Sequence, residues 1–190
     1  MAYCEPVYIR RASLSDSTRL QVIEKSAAQL YRNTAYPELA GFDPVSTQVY
    51  ARHFKRDHAI FIASFRRHPT RDEQETRSIA AGFALTAPLE DGLHLHELSV
   101  HADFQRQGLG SALLNQVIHH AKLHSYGFVS LTTYRDIGWN GPFYRKAGFV
   151  TVKPSEMNAS LGQILNTEIH NGANSQTRCA MLLHQAKYDR

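Results

Sequence analysis

The residues from Leu98 to Ser111 have the types and the spacing of a phosphate-binding turn. An apolar strand end is followed by a basic turn with Arg106, and then by Gly108 and Gly110 at the start of a helical pattern. Glycine lets the backbone approach a ligand closely, and the first N–H groups of a helix bind anions at its positive dipole end. No Walker loop is present, and the third glycine of the dinucleotide fingerprint is missing. The spacing alone predicts a phosphate site or an ordinary helix start.

Two histidines precede this turn on the predicted strand Leu93–Val100. Alternation along a strand places His94 and His96 on one face and Glu97 on the other, unless a β-bulge reverses the order. Imidazole titrates near neutrality, so it can take a proton from an amine at physiological pH. The pair is therefore either a base with its relay or two hydrogen-bonded structural histidines. Glu97 is a further candidate base.

Neither metal chemistry nor cysteine chemistry is predicted. His96-Glu97 followed by His101 does not have the spacing of the helical HExxH zinc motif. Cys4 and Cys179 lie near opposite ends of the chain, without CxxC spacing and outside the motifs. A disulfide scaffold, a zinc site and a cysteine nucleophile therefore have no support, and a reducing compartment fits best.

The composition is that of a globular protein. The chain has 190 residues, 43% of them hydrophobic and 20% charged, so we predict a single domain over residues 1–190. The net charge is +4 with basic residues spread along the chain, which suits a small polyanion but predicts no nucleic-acid partner. No apolar run reaches the roughly 18 residues of a membrane span, and the amino terminus lacks the apolar part of a secretion signal. We therefore expect a cytoplasmic protein with no membrane partner.

Apolar periodicity predicts alternating strands and helices. The predicted strands are Val7–Arg11, Ala59–Phe65, Ser78–Leu85, Leu93–Val100, Phe128–Thr133, Phe149–Val152 and Arg178–His184. The predicted helices run from Leu20 to Tyr31, from Asp43-Pro44 onward, over Gly108–Ser125, over Trp139–Ala147 and within Ser155–Gly172, with a polar turn at Arg66–Arg77. Strand-helix-strand order in the middle requires a parallel pair, and hairpin-like neighbours upstream require antiparallel ones. The predicted fold class is therefore α/β (α+β), a mixed sheet with helices on both faces.

Two of these motifs resemble a known family. The run Gln105-Arg106-Gln107-Gly108-Leu109-Gly110 resembles the Q/R-x-x-G-x-G/A motif of the GNAT superfamily, the acetyl-coenzyme-A-dependent N-acetyltransferases. The run from Trp139 to Phe149 is similar to the late helix of that superfamily, N-x-x-x-x-F-Y-x-K-x-G-F with variable spacing. The resemblance is sharp over residues 93–150 and implies a mostly antiparallel sheet of six to seven strands, splayed between strands 4 and 5.

The resemblance also implies a cofactor, acetyl-CoA, and roles for individual residues. The backbone of Leu98–Val100 would pair with the pantetheine arm, Asn140 would bind that arm, and Tyr144 would be the general acid. The implied cofactor-binding residues are Leu98, Ser99, Val100, Gln105, Arg106, Gln107, Gly108, Leu109, Gly110, Ser111, Asn140 and Tyr144.

The sequence motifs constrain the acceptor of the acetyl group less than its donor. His94-Leu95-His96 is similar to the paired histidines of arylalkylamine N-acetyltransferases, which implies a small primary amine as substrate. The candidate acceptor contacts are Tyr36 and Glu38 in an aromatic loop, and Thr133 and Asp136 after the following strand. A peptide or protein acceptor, a non-catalytic acyl-CoA sensor and a homodimer, which is frequent in the superfamily, are left open.

Overall fold

Seven strands form one mixed sheet in the computed structural model, which describes residues 7–67 and 77–185. They are β1 (Val7–Arg11), β2 (Ile60–Arg67), β3 (Arg77–Leu89), β4 (Gly92–Val100), β5 (Phe128–Tyr134), β6 (Val150–Thr151) and β7 (Arg178–His184). The strand order is β1-β2-β3-β4-β5-β7-β6. The β4–β5 pair is parallel, whereas β1–β2, β2–β3, β5–β7 and β6–β7 are antiparallel. The predicted fold class, a mixed and mostly antiparallel sheet with helices, is confirmed.

Five α-helices connect the described strands. They are α1 (Ser17–Ala28), α2 (Thr47–Lys55), α3 (Leu109–Leu123), α4 (Gly141–Lys146) and α5 (Ala159–His170). In the described part of the chain, no helix has the length and apolar character needed to cross a bilayer. The predicted polar turn at Arg66–Arg77 falls largely on residues 68–76, which lie outside the described residues.

The predicted start of the second helix at Asp43-Pro44 is wrong. The residue that caps α2 is Ser46. The Val45 N–H donates to the Glu24 carboxylate at 3.0 Å, and the Val45 carbonyl accepts from the Gln21 side chain at 3.0 Å. Because side chains of α1 bind both the N–H and the carbonyl of Val45, helix α2 begins only after Val45. The aromatic loop is also more regular than predicted, since Pro37–Gly41 forms a 3₁₀ turn.

The chain divides into two compact units, each described by itself. The first unit contains the described residues of Met1–Leu85 together with Glu97–Val117. Its core consists of side chains from α1, α2, β2 and β3, and the Tyr50 ring meets the Phe83 ring edge to face at 6.1 Å. The buried members of this core are Leu20, Ile23, Tyr50, Ile60, Ile62, Phe83 and Leu85. Full burial of each such side chain stabilises the fold by about 1.5–3 kcal/mol.

The second unit contains the described residues of Thr86–His96 together with Ile118–Arg190. Its core joins α5 to β7 through Leu161, Leu165, Ala180 and Leu182. Strand β5 pairs with β7 along its whole length, from Phe128 opposite His184 to Tyr134 opposite Arg178. The pairing places β5 next to β7, the strand that packs against α5. That a single domain covers residues 1–190 stays a prediction.

The parallel contact between β4 and β5 lies within the second unit. Its registered pairs are Leu93 with Val129, His94 with Ser130, and Leu95 with Leu131. Gly92, which opens β4, is required here by packing, because a Cβ at this position would lie 2.2 Å from the Phe128 ring. The missing side chain at Gly92 thus leaves room for the Phe128 ring at the start of β4.

Candidate active site

The turn between β4 and α3 is held by its own hydrogen bonds in the first unit. The His101 N–H donates to the Ala81 carbonyl at 2.8 Å, which joins the turn to β3. The Gln105 side-chain amide donates to the Val100 carbonyl at 3.0 Å, and the His101 ring accepts from the Asp103 N–H at 3.4 Å. Gln105 was predicted to bind the cofactor. In this structure its side-chain amide stabilises the turn through the hydrogen bond to Val100.

The turn adopts a left-handed backbone at two positions. Arg106 has φ +60° and Gly108 has φ +85°, and both residues are exposed. A Cβ added at Gly108 would meet no atom within 4 Å, so glycine is needed there for its backbone conformation and not for packing. A non-glycine residue such as Arg106 pays about 1–2 kcal/mol for the same conformation. The turn therefore stores strain at the residue that carries its positive charge.

Helix α3 presents its N-terminal N–H groups at this turn. The Ala112 N–H donates to the Gly108 carbonyl at 2.9 Å, and the N–H groups of Leu109, Gly110 and Ser111 precede it in the first helical turn. Such groups have no partner within a helix and bind anions. Leu109 is 1% exposed, so its side chain anchors the helix start in the core. N–H donors beside an exposed guanidinium form a donor set that fits the pyrophosphate of coenzyme A.

Gly82 on β3 is a supporting residue that the sequence reasoning missed. A Cβ at Gly82 would lie 3.0 Å from the Ser99 carbonyl oxygen, 3.1 Å from Leu113 and 3.2 Å from Val100. The absence of a side chain thus lets β3 approach the strand that leads into the turn. A glycine inside a predicted strand is the signal that could have found it.

Glu97 lies among other polar groups of the first unit. The Ser99 hydroxyl donates to the Glu97 carboxylate at 2.6 Å, which agrees with the predicted alternation that puts both on one face of β4. The Tyr50 hydroxyl donates to the Glu24 carboxylate at 2.8 Å. Burial raises the pKa of Tyr50, and the charges of Glu24 and Glu97 raise it further. Burial also raises the pKa of Glu24, against the hydrogen bonds from Tyr50 and Val45.

The two histidines of β4 contact each other in the second unit. Their ring centroids are 4.6 Å apart and nearly perpendicular, so both project from one face as predicted. His94 is 1% exposed, whereas His96 is exposed. The His94 Nδ1 lies 2.9 Å from the Ser130 hydroxyl, in a hydrogen bond whose direction depends on the tautomer. Burial lowers the pKa of His94 to about 3, with smaller contributions from His96 and Arg178.

A further polar network of the second unit was not predicted. Glu168 on α5 accepts from Arg178 at 2.9 and 3.0 Å and from the Thr132 hydroxyl at 2.7 Å. The Arg178 guanidinium also lies 5.0 Å from the centroid of the Tyr134 ring. These residues come from β5, β7 and α5, so no short motif could have revealed them. Arg178 of this network contributes to the lowered pKa of His94, after burial and His96.

Tyr144 lies on α4, also in the second unit. It is 8% exposed, and its ring contacts Phe143 at 5.1 Å and Phe149 at 5.8 Å, between ring centroids. Asn140 occupies the cap position that precedes α4. Gly141 follows, and a Cβ at that position would lie 2.8 Å from the Arg135 carbonyl oxygen. The late motif is thus a short helix whose start needs glycine and whose tyrosine is held by aromatic packing.

The four candidate acceptor contacts differ in burial. Tyr36 is 5% exposed and Thr133 is 4% exposed, whereas Glu38 and Asp136 are exposed. Tyr36 and Glu38 belong to the first unit, and Thr133 and Asp136 to the second. Their roles stay predictions.

The remaining reactive groups are a possible metal-ligand set and the cysteines. Among the described residues, no three His, Cys, Asp or Glu side chains are placed to hold a metal ion. Cys179 is a buried thiol whose pKa is raised by that burial. Cys4, the other cysteine, lies outside the described residues.

Comparisons with known proteins give a consistent family and fold. Residues 59–151 match the family model described as an acetyltransferase (GNAT) domain. The structure is similar to the ribosomal-protein-S18-alanine N-acetyltransferase of Escherichia coli, with a TM-score of 0.62 and 18% identity over 97% of this chain and 99% of that one. It is similar to the PaiA N-acetyltransferase of Thermoplasma acidophilum, determined with coenzyme A, with a TM-score of 0.65 and 13% identity over 95% and 99%.

A third similar structure is the N-acetylglutamate synthase of Neisseria gonorrhoeae, determined with coenzyme A and N-acetyl-glutamate. The TM-score is 0.65 and the identity 16%, over 94% of this chain but 35% of that one. At these identities the likeness shows a shared fold.

Proposed function

We propose that this chain, which belongs to the GNAT superfamily of acetyltransferases, transfers the acetyl group of acetyl-CoA directly to a primary amine. The observation that carries the proposal is the β4–turn–α3 segment. It combines left-handed Arg106 and Gly108 with the N–H groups of a helix start, within the sequence motif that matches the family. An exposed guanidinium and several backbone donors suit a pyrophosphate better than a neutral ligand.

The bound cofactor supplies an activated thioester, and the chain supplies binding and proton transfer. Leu109–Ser111 and Arg106 hold the pyrophosphate, and the backbone of Leu98–Val100 pairs with the pantetheine arm. An amine with pKa near 10 is only about 0.1% neutral at pH 7, so a base is needed before it attacks the acetyl carbon. The candidate bases are His94, His96 and Glu97.

Tyr144 completes the reaction in this proposal. As the new C–N bond forms and the C–S bond breaks, the Tyr144 hydroxyl donates its proton to the departing sulfur and then recovers one from the amine nitrogen. A phenol with pKa about 10 can protonate a thiolate only when it is held close to it. The packing of the Tyr144 ring against Phe143 and Phe149 holds the side chain in one place.

A small aryl- or alkylamine is the acceptor we favour, because the histidine pair is similar to that of arylalkylamine N-acetyltransferases. A peptide or protein acceptor is the second candidate, since one similar structure is a ribosomal-protein-S18-alanine N-acetyltransferase. A homodimer and a cytoplasmic location stay predictions.

The test is thiol release from acetyl-CoA across arylalkylamines, polyamines, amino acids, aminoglycosides and short peptides. We expect turnover with one class, and a kcat roughly 100-fold lower in Tyr144→Phe, with an acetyl-CoA Kd within about twofold of the wild type. Tyr126→Phe, a tyrosine outside the motifs, is the matched control and keeps full activity. Equal rates in wild type and Tyr144→Phe would remove Tyr144 from its role.

No thiol release with any compound of the panel would argue against a small acceptor. If acetyl-CoA still raises the melting temperature, the chain binds the cofactor, and a macromolecular acceptor or an acyl-CoA sensor becomes the better explanation. Salt-dependent binding to DNA or RNA without a response to acetyl-CoA would instead indicate a nucleic-acid module.

A further inference from the structure

Ser130 lies opposite His94 in the parallel ladder of β4 and β5, and its hydroxyl binds the buried imidazole. Ser130 is 0% exposed and His94 is 1% exposed. Among the described residues, the structure records a hydrogen bond of the His94 ring only at Nδ1, which lies 2.9 Å from the Ser130 hydroxyl oxygen. A serine hydroxyl can donate or accept, so this hydrogen bond holds the Nδ1 edge of the ring in place in either tautomer. Ser130 therefore fixes the orientation of the ring and leaves Nε2 as the nitrogen that can face a ligand or water.

The surroundings of His94 keep its ring neutral. Burial lowers its pKa to about 3, and smaller electrostatic contributions from His96 and Arg178 act in the same direction. The charged groups around it are His96 on β4, Arg178 on β7 and Glu168 on α5, whose carboxylate already binds Arg178. A ring that is neutral near pH 7 orients a partner through a hydrogen bond, but it does not keep a proton taken from an amine.

His96 has the opposite surroundings. It lies two residues further along the same face of β4, is exposed, and touches the His94 ring edge to face. An exposed imidazole passes a proton on to water without the desolvation cost that a buried imidazolium carries. Glu97 projects from the other face of the strand, where the Ser99 hydroxyl binds its carboxylate.

We propose that Ser130 is a positioning residue that holds His94 as a neutral hydrogen-bonding group, and that His96 takes the proton of the acceptor amine. The proposal rests on the N-acetyltransferase function proposed above. In this step one N–H bond of the ammonium group breaks, its electron pair stays on the amine nitrogen, and one N–H bond forms on the His96 ring. The proton then passes to solvent.

The first test is the pH profile of kcat/KM, measured with the amine that the panel identifies. We expect His96→Gln to lose the acidic limb of the profile, and His94→Gln to keep that limb at a lower rate. Ser130→Ala should also keep the limb while its kcat falls about tenfold and its KM stays within about twofold. Ser64→Ala, a buried serine on β2 that is 4% exposed, is the matched control and keeps the wild-type rate.

Either of two outcomes overturns the proposal. If the acidic limb of the pH profile is lost in His94→Gln and kept in His96→Gln, His94 is the proton acceptor. A Ser130→Ala variant as active as Ser64→Ala shows that Ser130 does not position the ring. If Ser130→Ala does not fold, Ser130→Cys keeps the side-chain size and offers only a weak hydrogen-bond partner.

The second test does not depend on turnover. Nitrogen NMR of the histidine rings, with His94→Gln to assign the signals, reports tautomer and protonation directly. We expect the His94 ring to stay neutral between about pH 5 and pH 9, and its Nδ1 signal to shift in Ser130→Ala because that nitrogen loses its hydrogen bond. A His94 ring that titrates in this range, or an Nδ1 signal that is the same in Ser130→Ala, refutes the positioning role. An inactive wild type with the expected spectra would refute transfer to a small amine and leave the role of Ser130 standing.

Discussion

Replacement of Arg106 separates the charge of the turn from its backbone strain. Arg106 is exposed, has φ +60° and lies two residues before Gly108. Arg106→Gly and Arg106→Ala both remove the guanidinium, but only glycine adopts the left-handed backbone without a steric penalty. The two variants should therefore lose the same affinity for coenzyme A and differ in stability.

The magnitudes follow from the two contributions. A hydrogen bond to a charged group contributes about 1.5–3 kcal/mol, and exposure at this turn favours the lower end, so the coenzyme A Kd should rise roughly 10-fold to 30-fold. Relief of the left-handed strain stabilises Arg106→Gly relative to Arg106→Ala by about 1–2 kcal/mol. The greater freedom of the unfolded glycine variant offsets about 0.4–1 kcal/mol of this gain. At the middle of both ranges the net gain is about 0.8 kcal/mol, so Arg106→Gly should melt about 2–3 °C above Arg106→Ala.

The assays are calorimetric titration with coenzyme A and thermal unfolding without ligand. Ser125→Gly is the backbone control, because Ser125 is also exposed and left-handed, with φ +57°; it should raise the melting temperature and leave the Kd unchanged. Arg52→Gln, an exposed arginine on α2, is the charge control. The affinity difference should shrink at high salt, because exposed charges are screened.

Two results would refute this reasoning. A coenzyme A Kd in Arg106→Gly within about twofold of that in Arg52→Gln would show that Arg106 has no specific contact with the ligand. A melting temperature equal in Arg106→Gly and Arg106→Ala, while Ser125→Gly gains stability, would show that the turn at Arg106 is not strained.

Three further predictions concern packing and titration. Gly92→Ala should destabilise the fold by about 1–3 kcal/mol in urea unfolding, because its Cβ would meet the Phe128 ring; an unchanged midpoint would contradict this. The raised pKa of Glu24 means that the native state binds its proton more tightly, so its contribution to stability is present at low pH and is lost as pH rises through the folded pKa. Glu24→Gln should therefore gain stability relative to the wild type as pH rises above 4.5, the ordinary pKa of a glutamate, and a difference that stays constant would refute the shift. In a Cys4→Ser variant, a thiol reagent should label the buried Cys179 only after denaturation, and labelling of the native protein would contradict its burial.

Much of the fold was accessible from the sequence because its signals are local. Strand alternation identified β4 and β5, and the alternation of His94 and His96 agrees with their ring contact. The start of α2 was mispredicted because the competing partner of Val45 is a glutamate on another helix. A capping signal describes only its own neighbourhood, and it does not include a carboxylate 21 residues away in the chain.

The sequence by itself determined the backbone of the turn before α3 and the late motif. Both consist of consecutive residues whose roles depend on backbone conformation, such as the left-handed Gly108, and conformational preference is a local property. Only the tertiary structure decided the surroundings of the candidate bases. His94 and Ser130 are 36 residues apart, and so are Thr132 and Glu168, and they meet because of strand register and helix packing. The pKa of a buried group depends on such partners and on burial, and neither is encoded in the spacing of its neighbours along the chain.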